Sequence, residues 1–479
     1  MNARDRLPSG AQLPMDVLRD HFEAAWKAGK SPDPNAYLSS ARPADRAALA
    51  IALAGIDAKY RNRPASPKSP PAASELGTRV NLKVTAGPHA GKEFSFDGHD
   101  TFLVGRVNDA HLQLSFDDPY FSRRHFVLEV NPPRCRLMDL QSRNGTEVNG
   151  QKVNASEIKD GDIIKAGHTH FKVSIVGRPP EHQVTHDEYA TKVPTESWVP
   201  KAEPKTVLGN YEIVRELGRG GMGVVYEAKR LADGKPVALK TIIPALGASE
   251  KQIDRFMREA KVLEQLKHKN IVGFQDVGLD GEVIYLAMEL VTGPDFDRIL
   301  KDSGPSPIKP AVRGICQMLT GLAHAHEKGF VHRDIKPANI LVHKDGTTKT
   351  TKLADFGLAR AYEVSQLSGL TMQGDVGGTP MYMPPEQITH FRNVKPAADQ
   401  YSAAATLYTL LTGKCIHNFP KGIEACLIHI TTEHPVPIRE RRSDIPKGLA
   451  EVIHTALSRE PEERFEDVEE FREALLRWA

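Results

Sequence analysis

Asp334 and Asn339 stand in the run HRDIKPANIL (332–341), and Asp355 opens the tripeptide DFG at 355–357. That spacing suits a magnesium-assisted phosphoryl transfer. One carboxylate, Asp334, can face a hydroxyl and accept its proton. An amide, Asn339, and a second carboxylate, Asp355, offer the hard oxygen ligands that hold Mg²⁺ on nucleotide phosphates.

The string resembles the eukaryotic-like (Hanks-type) protein kinase family, and Lys336 marks its serine/threonine branch. The resemblance implies that Asp334 is the base, that Lys336 neutralises charge developing on the γ-phosphate, and that Asn339 and Asp355 are the metal ligands. It also implies that Arg333 pairs with a phosphate on the activation segment. The alternative is a pseudokinase that serves as a phosphopeptide-binding scaffold. Such chains usually lack the counterparts of Lys240, Asp334 or Asp355, and all three are present here. A small-molecule phosphotransferase is disfavoured by the long activation segment.

A nucleotide lid precedes these residues. LGRGGMGVVYEA (217–228) carries Gly218, Gly220 and Gly223 at GxGxxG spacing. Alone, that spacing fits a dinucleotide fold equally well. Gly223, however, runs into the apolar strand VVYEA and not into the helix that a Rossmann turn feeds. A glycine hairpin lets backbone amides approach phosphates with no Cβ in the way. Leu217, Gly218, Arg219, Gly220, Gly221, Met222, Gly223, Val224, Val225 and Ala238 are therefore expected around ATP, with Val225 capping the adenine. Lys240, in VALK, is a snorkelling edge residue or the ammonium that binds phosphate; the lid before it and HRD after it favour the second. Residues 248–268 repeat apolar positions at three- and four-residue steps, as an amphipathic helix does. Glu259 lies among them, either solvated beside Arg255 or, as the resemblance implies, paired with Lys240. In EVIYLAMELVTG (282–293), Met288 falls at the gatekeeper position, and backbone groups of Glu289 and Val291 are expected to meet the adenine. The implied cofactors are ATP with Mg²⁺, or Mn²⁺ in its place.

The activation segment runs from Asp355 to PPE (384–386), where the family usually reads APE; Pro384 is the departure. Glu386 is expected to pair with Arg464. The polar, glycine-rich middle suits a loop ordered by phosphorylation, with Thr371 as first candidate site and Ser365 and Ser368 next. Thr379, in GGTP, resembles the threonine that contacts the base and the substrate. DQYSAAATLYTLLTG (399–413) resembles the helix that anchors the catalytic loop. Asp399 is in register, while Ala403 and Ala404 replace the usual Leu-Gly.

At 479 residues the chain has room for two or three domains. Its 63 basic and 61 acidic residues nearly cancel, which argues against a nucleic-acid or polybasic membrane partner. Four cysteines without CxxC spacing point to a reducing compartment. The N-terminus lacks a secretory h-region, and the most apolar run, residues 47–56, is too short to span a bilayer. The expectation is a soluble cytoplasmic protein.

Composition shifts divide the chain into a helical leader (1–60), a Pro/Ser/Ala-rich linker (61–75), a strand-rich domain (76–178), a polar linker (179–208) and the kinase-like domain (209–479). In the strand-rich part, short apolar segments alternate with turn signals, as in a β-sandwich. It resembles a forkhead-associated (FHA) domain through Gly105-Arg106, SRRH (122–125) and NGTEVNG (144–150). Arg106, Ser122 and Arg123 supply two guanidinium groups and a hydroxyl to a phosphate. Asn144 would bond the peptide backbone beside it, and His125 is expected to serve the loop itself. The alternative is a sandwich whose arginines are merely solvated. The leader is equally open to a capping or a docking role. The fold class expected is multidomain: an α+β bilobal kinase preceded by an all-β FHA sandwich and the leader. Expected partners are protein substrates with Ser/Thr and phosphothreonine proteins or the chain's own phosphorylated segments. Thr185, Thr191, Thr195 and Thr206 in the second linker are candidates for self-docking, within one chain or in a phosphorylation-dependent dimer.

Overall fold

The structure is a computed structural model that describes residues 78–114, 120–177, 207–220, 223–242, 250–281, 283–356 and 380–479, together with Leu18, Phe22 and Tyr37. The chain forms two compact units, residues 1–76 and 77–479. In the first, Leu18, Phe22 and Tyr37 are helical and buried, and the rings of Phe22 and Tyr37 meet edge-on at 5.0 Å.

The second unit begins with eleven described strands: β1 (Arg79–Ala86), β2 (Glu93–Phe96), β3 (Asp100–Gly105), β4 (Leu112–Gln113), β5 (Arg124–Asn131), β6 (Arg134–Asp139), β7 (Thr146–Val148), β8 (Gln151–Val153), β9 (Ala155–Ile158), β10 (Ile163–Ala166) and β11 (Thr169–Val176). They build two facing sheets, of order β2-β1-β11-β10-β7-β8 and β4-β3-β5-β6-β9. Alternation explains the layering. Val80, Leu82 and Val84 of β1 point into the sandwich core, where Phe126, Leu128 and Val130 of β5 meet them. Strand β5 is unusual because it is also buried on its other face, at Val127.

A second antiparallel sheet follows. Its strands are β12 (Val207–Leu208), β13 (Tyr211–Gly220), β14 (Gly223–Arg230), β15 (Pro236–Ile242), β16 (Phe274–Asp280) and β17 (Val283–Glu289), in the order β12-β13-β14-β15-β17-β16. Helix α1 (Glu250–Lys261) packs against it through Phe256 and Ala260. The helical lobe contains α2 (Phe296–Ser303), α3 (Ile308–Glu327), α4 (Pro385–Thr389), α5 (Ala397–Thr412), α6 (Ile423–Thr432), α7 (Ile438–Arg441), α8 (Lys447–Ala456) and α9 (Val468–Leu475). A two-stranded ribbon, β18 (Ile340–Asp345) with β19 (Thr348–Leu353), lies between α3 and α4 in the chain.

Helix α5 is buried from Ala398 to Thr412, so it has no solvent face. Its hydroxyls need partners inside the protein. Thr406, Thr409 and Thr412 donate back to carbonyls one turn earlier, at 2.8, 2.9 and 2.8 Å. Ala403, Ala404 and Ala405 are fully buried on the same helix, and Gly413 ends it in a left-handed cap. This rigid rod carries Asp399. Among the described residues no helix is long and apolar enough to cross a membrane.

Candidate functional site

Strand alternation assembles one wall of the cleft. Val225 of β14, Lys240 of β15 and Leu286 of β17 are direct neighbours across the sheet, as are Ala238 and Met288. Directly opposed residues share a face, so Val225, Ala238, Lys240 and Met288 lie together. Tyr211, Leu239, Tyr285 and Ala287 form a core cluster on the other side. Above this wall, β13 and β14 make the glycine hairpin. Gly218 and Gly220 pair with Val225 and Gly223, and Leu217, Arg219 and Val224 lie on the same two strands. Gly223 is obligatory. Its φ is +140°, and a Cβ there would stand 1.8 Å from the carbonyl oxygen of Thr241. Arg219 is tied to Glu216 on the exposed edge. Gly221 and Met222 lie outside the described residues.

At the other end of the cleft, the N–H of Glu289 donates to Gly273 O at 2.7 Å. The Glu289 carboxylate accepts from Lys352 at 2.9 Å, a pair that sequence reading missed. Val291 lies two residues past the strand, half-buried.

The catalytic loop closes the site from below. Asp334 Oδ2 accepts from Lys336 Nζ at 2.9 Å and from Asn339 Nδ2 at 3.0 Å. The same amide nitrogen also donates to Asp334 O at 2.8 Å, which fixes its orientation. The Asp334 side chain nevertheless stays 37% exposed, so a hydroxyl can reach it. Ala354 N donates to Asn339 O at 2.9 Å, which brings the residue before Asp355 against the loop. The His332 ring bonds Ala354 O at 2.8 Å and packs edge-on against Phe356.

Lys240 is buried, and its ammonium donates to Asp355 Oδ2 at 2.8 Å. Burial alone pushes the Asp355 carboxyl up, but the charge and the bond of Lys240 outweigh it, with help from His332 and Lys336. The carboxylate is held below its ordinary range. The expected Lys240–Glu259 pair is absent from this conformation. Phe256, Ala260 and Leu263 occupy the inward stripe, and Glu259 falls on its flank. There it lines a cavity of about 210 Å³ with Val262, Leu263, Lys328 and Phe330.

For a divalent metal, Asn339 and Asp355 fit by donor chemistry. The amide nitrogen of Asn339 is committed to Asp334, and its oxygen and the Asp355 carboxylate are both hard ligands. Among the described residues no cluster of three or more His, Cys, Asp or Glu could hold a metal unaided.

Glu386 and Arg464 form the expected pair in a bidentate fork at 2.6 and 2.8 Å, and the Arg464 side chain is fully buried. Ser365, Ser368, Thr371 and Thr379 lie outside the described residues, as do Thr185, Thr191, Thr195 and Thr206.

A second site lies on one rim of the sandwich. A Cβ on Gly105 would stand 2.1 Å from Arg123 O, so only glycine permits this close approach. It lets Arg106 N–H reach Arg123 O at 2.7 Å and binds the two arginine loops together. Ser122 Oγ accepts the Arg143 N–H at 2.8 Å, and Asn144 Nδ2 donates to Tyr120 O at 2.7 Å. Buried His125 accepts the Ser122 N–H and bonds Gly145 O, which is the internal role expected of it. Arg106 Nε is buried with no hydrogen-bond partner, and Arg123 is exposed. The rim thus carries a buried donor without a partner, Arg106 Nε, and an exposed arginine, Arg123.

Comparison with known proteins finds matches over both regions of the chain. The protein kinase domain profile matches residues 211–475, and the FHA domain profile matches residues 102–167. The serine/threonine-protein kinase pkn3 of Myxococcus xanthus is 35% identical over 276 residues, 57% of this chain and 50% of that protein. PrkC of Bacillus subtilis is 33% identical over 266 residues, 56% of this chain and 40% of that protein. The chain thus spans half or less of the length of these relatives. A solved structure, Rad53 1-466 in complex with AMP-PNP, is 24% identical, covering 84% of this chain and 99% of that one, with a TM-score of 0.46. Glycine hairpin, buried lysine, HRD loop and DFG aspartate coincide with the span of the first profile, which is more than half of the sequence: the chain belongs to the protein kinase domain family and carries an FHA domain ahead of the kinase domain.

Proposed function

We propose that this protein is an ATP-dependent serine/threonine protein kinase that acts in the cytoplasm, and that its sandwich reads phosphothreonine. The observation that carries the first part is the arrangement around Asp334. Its carboxylate is reachable from solvent, oriented by Asn339 and backed by an ammonium at 2.9 Å. In this reading Asp334 takes the proton of a serine or threonine hydroxyl as its oxygen attacks the γ-phosphorus. Lys336, already beside Asp334, neutralises charge on the transferring group. Lys240 holds the α- and β-phosphates, and the hairpin from Leu217 to Val225 covers them. Asn339 and Asp355 would hold Mg²⁺, which supplies charge neutralisation at the β- and γ-phosphates when bound. The long segment after the DFG motif, residues 358–386, with Thr379 near its end, supports a protein substrate over a small molecule.

The purified chain, given γ-labelled ATP and a generic protein substrate, should transfer label to serine and threonine. Transfer should cease with EDTA and return with Mg²⁺ more fully than with Mn²⁺. Nucleotide binding without any transfer would instead support the scaffold reading.

The phosphothreonine reading rests on the unsatisfied Nε of Arg106 beside Ser122 and exposed Arg123. A phosphate satisfies all three at once. Phosphothreonine proteins, or the chain's own phosphorylated linker, are the ligands proposed, and a second copy so engaged would make a phosphorylation-dependent dimer. Light scattering of phosphorylated and phosphatase-treated protein tests the dimer: equal mass in both samples leaves the rim to other proteins.

A further inference from the structure

The five-stranded sheet of the sandwich turns its outer face to the helical lobe. Alternation places two rows of three residues on that face. Leu103, Val127 and Met138 are direct cross-strand neighbours, and so are Thr101, Glu129 and Arg136. The first row is almost wholly buried and packs against Ile388 of α4 and Leu427 and Ile430 of α6. The second row makes polar contacts. Thr101 Oγ1 accepts the Phe391 N–H at 2.9 Å, and Arg136 pairs with Glu424. An apolar row on the outer face of a sheet is buried only if something covers it. On this side the cover is the chain's own kinase domain.

The loops that read phosphate also make this contact. Arg106 and Asp109 share the turn after β3, and Asp109 O accepts from the His390 ring at 2.6 Å. Arg123 and Arg124 are consecutive. Arg124 grips Glu460 of the helical lobe through two nitrogens, each at 2.9 Å. Arg124 chiefly, with Arg459 and Arg123 behind it, holds the Glu460 carboxyl below its ordinary range against the opposing effect of burial. Glu460 is therefore an anion at the edge of the cluster that a phosphate would enter.

We propose that docking of the sandwich on the helical lobe and binding of a phosphothreonine peptide at Arg106, Ser122 and Arg123 oppose each other, with Glu460 as the coupling charge. The inference rests on the phosphothreonine reading of the rim. A phosphate brings close to two negative charges to the residue next to Arg124, where it repels Glu460 and competes for the guanidinium. Linkage makes the effect mutual: whatever factor the peptide takes from docking, docking takes from peptide affinity. The contact also reaches the active site. Phe391, whose N–H is held by Thr101, accepts Arg333 Nη1 on its carbonyl at 3.4 Å, and Arg333 adjoins Asp334.

The test uses the full chain and a fluorescent peptide library with a fixed phosphothreonine and randomised flanks. Affinity is read by anisotropy, and docking by backbone hydrogen exchange over 388–393 and 423–432. Saturating library should speed exchange in both segments, and Glu460→Gln should bind it about fivefold more tightly, the low end for coupled sites. Arg106→Ala should lose binding while both segments keep their wild-type exchange. Binding that leaves exchange unchanged or slowed overturns the antagonism, as does equal affinity in wild type and Glu460→Gln. If Arg106→Ala loses binding while Glu460→Gln matches wild type, the phosphothreonine reading stands and the linkage falls. Absence of library binding by wild type and Glu460→Gln alike overturns both.

Discussion

Asp399 accepts the backbone N–H of Arg333 at 2.9 Å, and this bond holds a strained residue in place. Arg333 has φ of +66°, in the left-handed region that side chains with a Cβ avoid, at a typical cost of about 1–3 kcal/mol. The other Asp399 oxygen accepts the His332 N–H and bonds the His326 ring, both at 2.8 Å. Burial pushes the Asp399 carboxyl up, but the His326 bond and the charges of His326 and His332 hold it below its ordinary range. The buried helix α5 thus sets the backbone geometry of the residue immediately before Asp334.

Asp399→Ala should therefore disturb stability and catalysis together. It leaves two backbone donors without their acceptor, each worth about 1–3 kcal/mol when buried. Chemical denaturation should show a loss in that range or somewhat above it, with kcat falling more than the ATP affinity. The sign with pH follows from the lowered carboxyl: its stabilisation is present above the ordinary carboxylate range and is lost as pH falls through the lowered folded value. The gap between wild type and Asp399→Ala should narrow as pH falls below about pH 4, through the lowered folded value of the carboxyl. A gap that widens in acid would contradict this account.

Asp334→Asn removes the proton acceptor and little else, because the amide can keep a bond to Lys336 or Asn339. Transfer should fall by about 10²–10⁴, while ATP affinity, measured by calorimetry, stays near wild type. Turnover close to wild type would exclude Asp334 as the base.

Glu259 gives a sharper test of conformation. Its carboxylate makes no contact with Lys240 here, and Lys240 is engaged by Asp355. Glu259→Gln should leave the melting temperature of the nucleotide-free chain unchanged. If catalysis requires α1 to turn Glu259 toward Lys240, kcat should drop at least about tenfold. An unchanged kcat would leave Asp355 as the sole working partner of Lys240.

The catalytic parts were legible because each is a local string: HRDIKPAN, DFG, the glycine hairpin and VALK all act close to where they are written. The register of Asp399 was legible for the same reason, though its bond to His326 was not, since that joins residues 73 apart. The partner of Lys240 depends on how α1 is rotated, which periodicity does not specify. The docking face was missed for a different reason. HFVLEV in β5 carries polar His125 and Glu129 on the same face as Val127, so its pattern is that of an ordinary half-exposed sandwich strand, and the burial of that face is not written in it. What covers the second face, α4 and α6, lies nearly 300 residues away and carries no matching motif.

Phosphate in the activation segment should raise activity, with Thr371 the first site and Ser365 and Ser368 the runners-up. Thr371 lies eight residues before Thr379, where the resemblance to this kinase family implies an activating threonine. A phosphate there adds close to two negative charges in the segment that the resemblance assigns to Arg333. In the structure Arg333 donates to the Phe391 carbonyl through a long bond of 3.4 Å, which a phosphate oxygen can replace with a stronger, charge-assisted one. Mass mapping of autophosphorylated protein should find phosphate on at least one of the three residues, and phosphatase treatment should lower kcat. Arg333→Gln should abolish the difference between the treated and untreated enzymes, because the phosphate then has no guanidinium to order. If phosphatase still slows Arg333→Gln as much as wild type, the phosphate acts through another cation; if none of the three residues carries phosphate, the assignment of the segment fails.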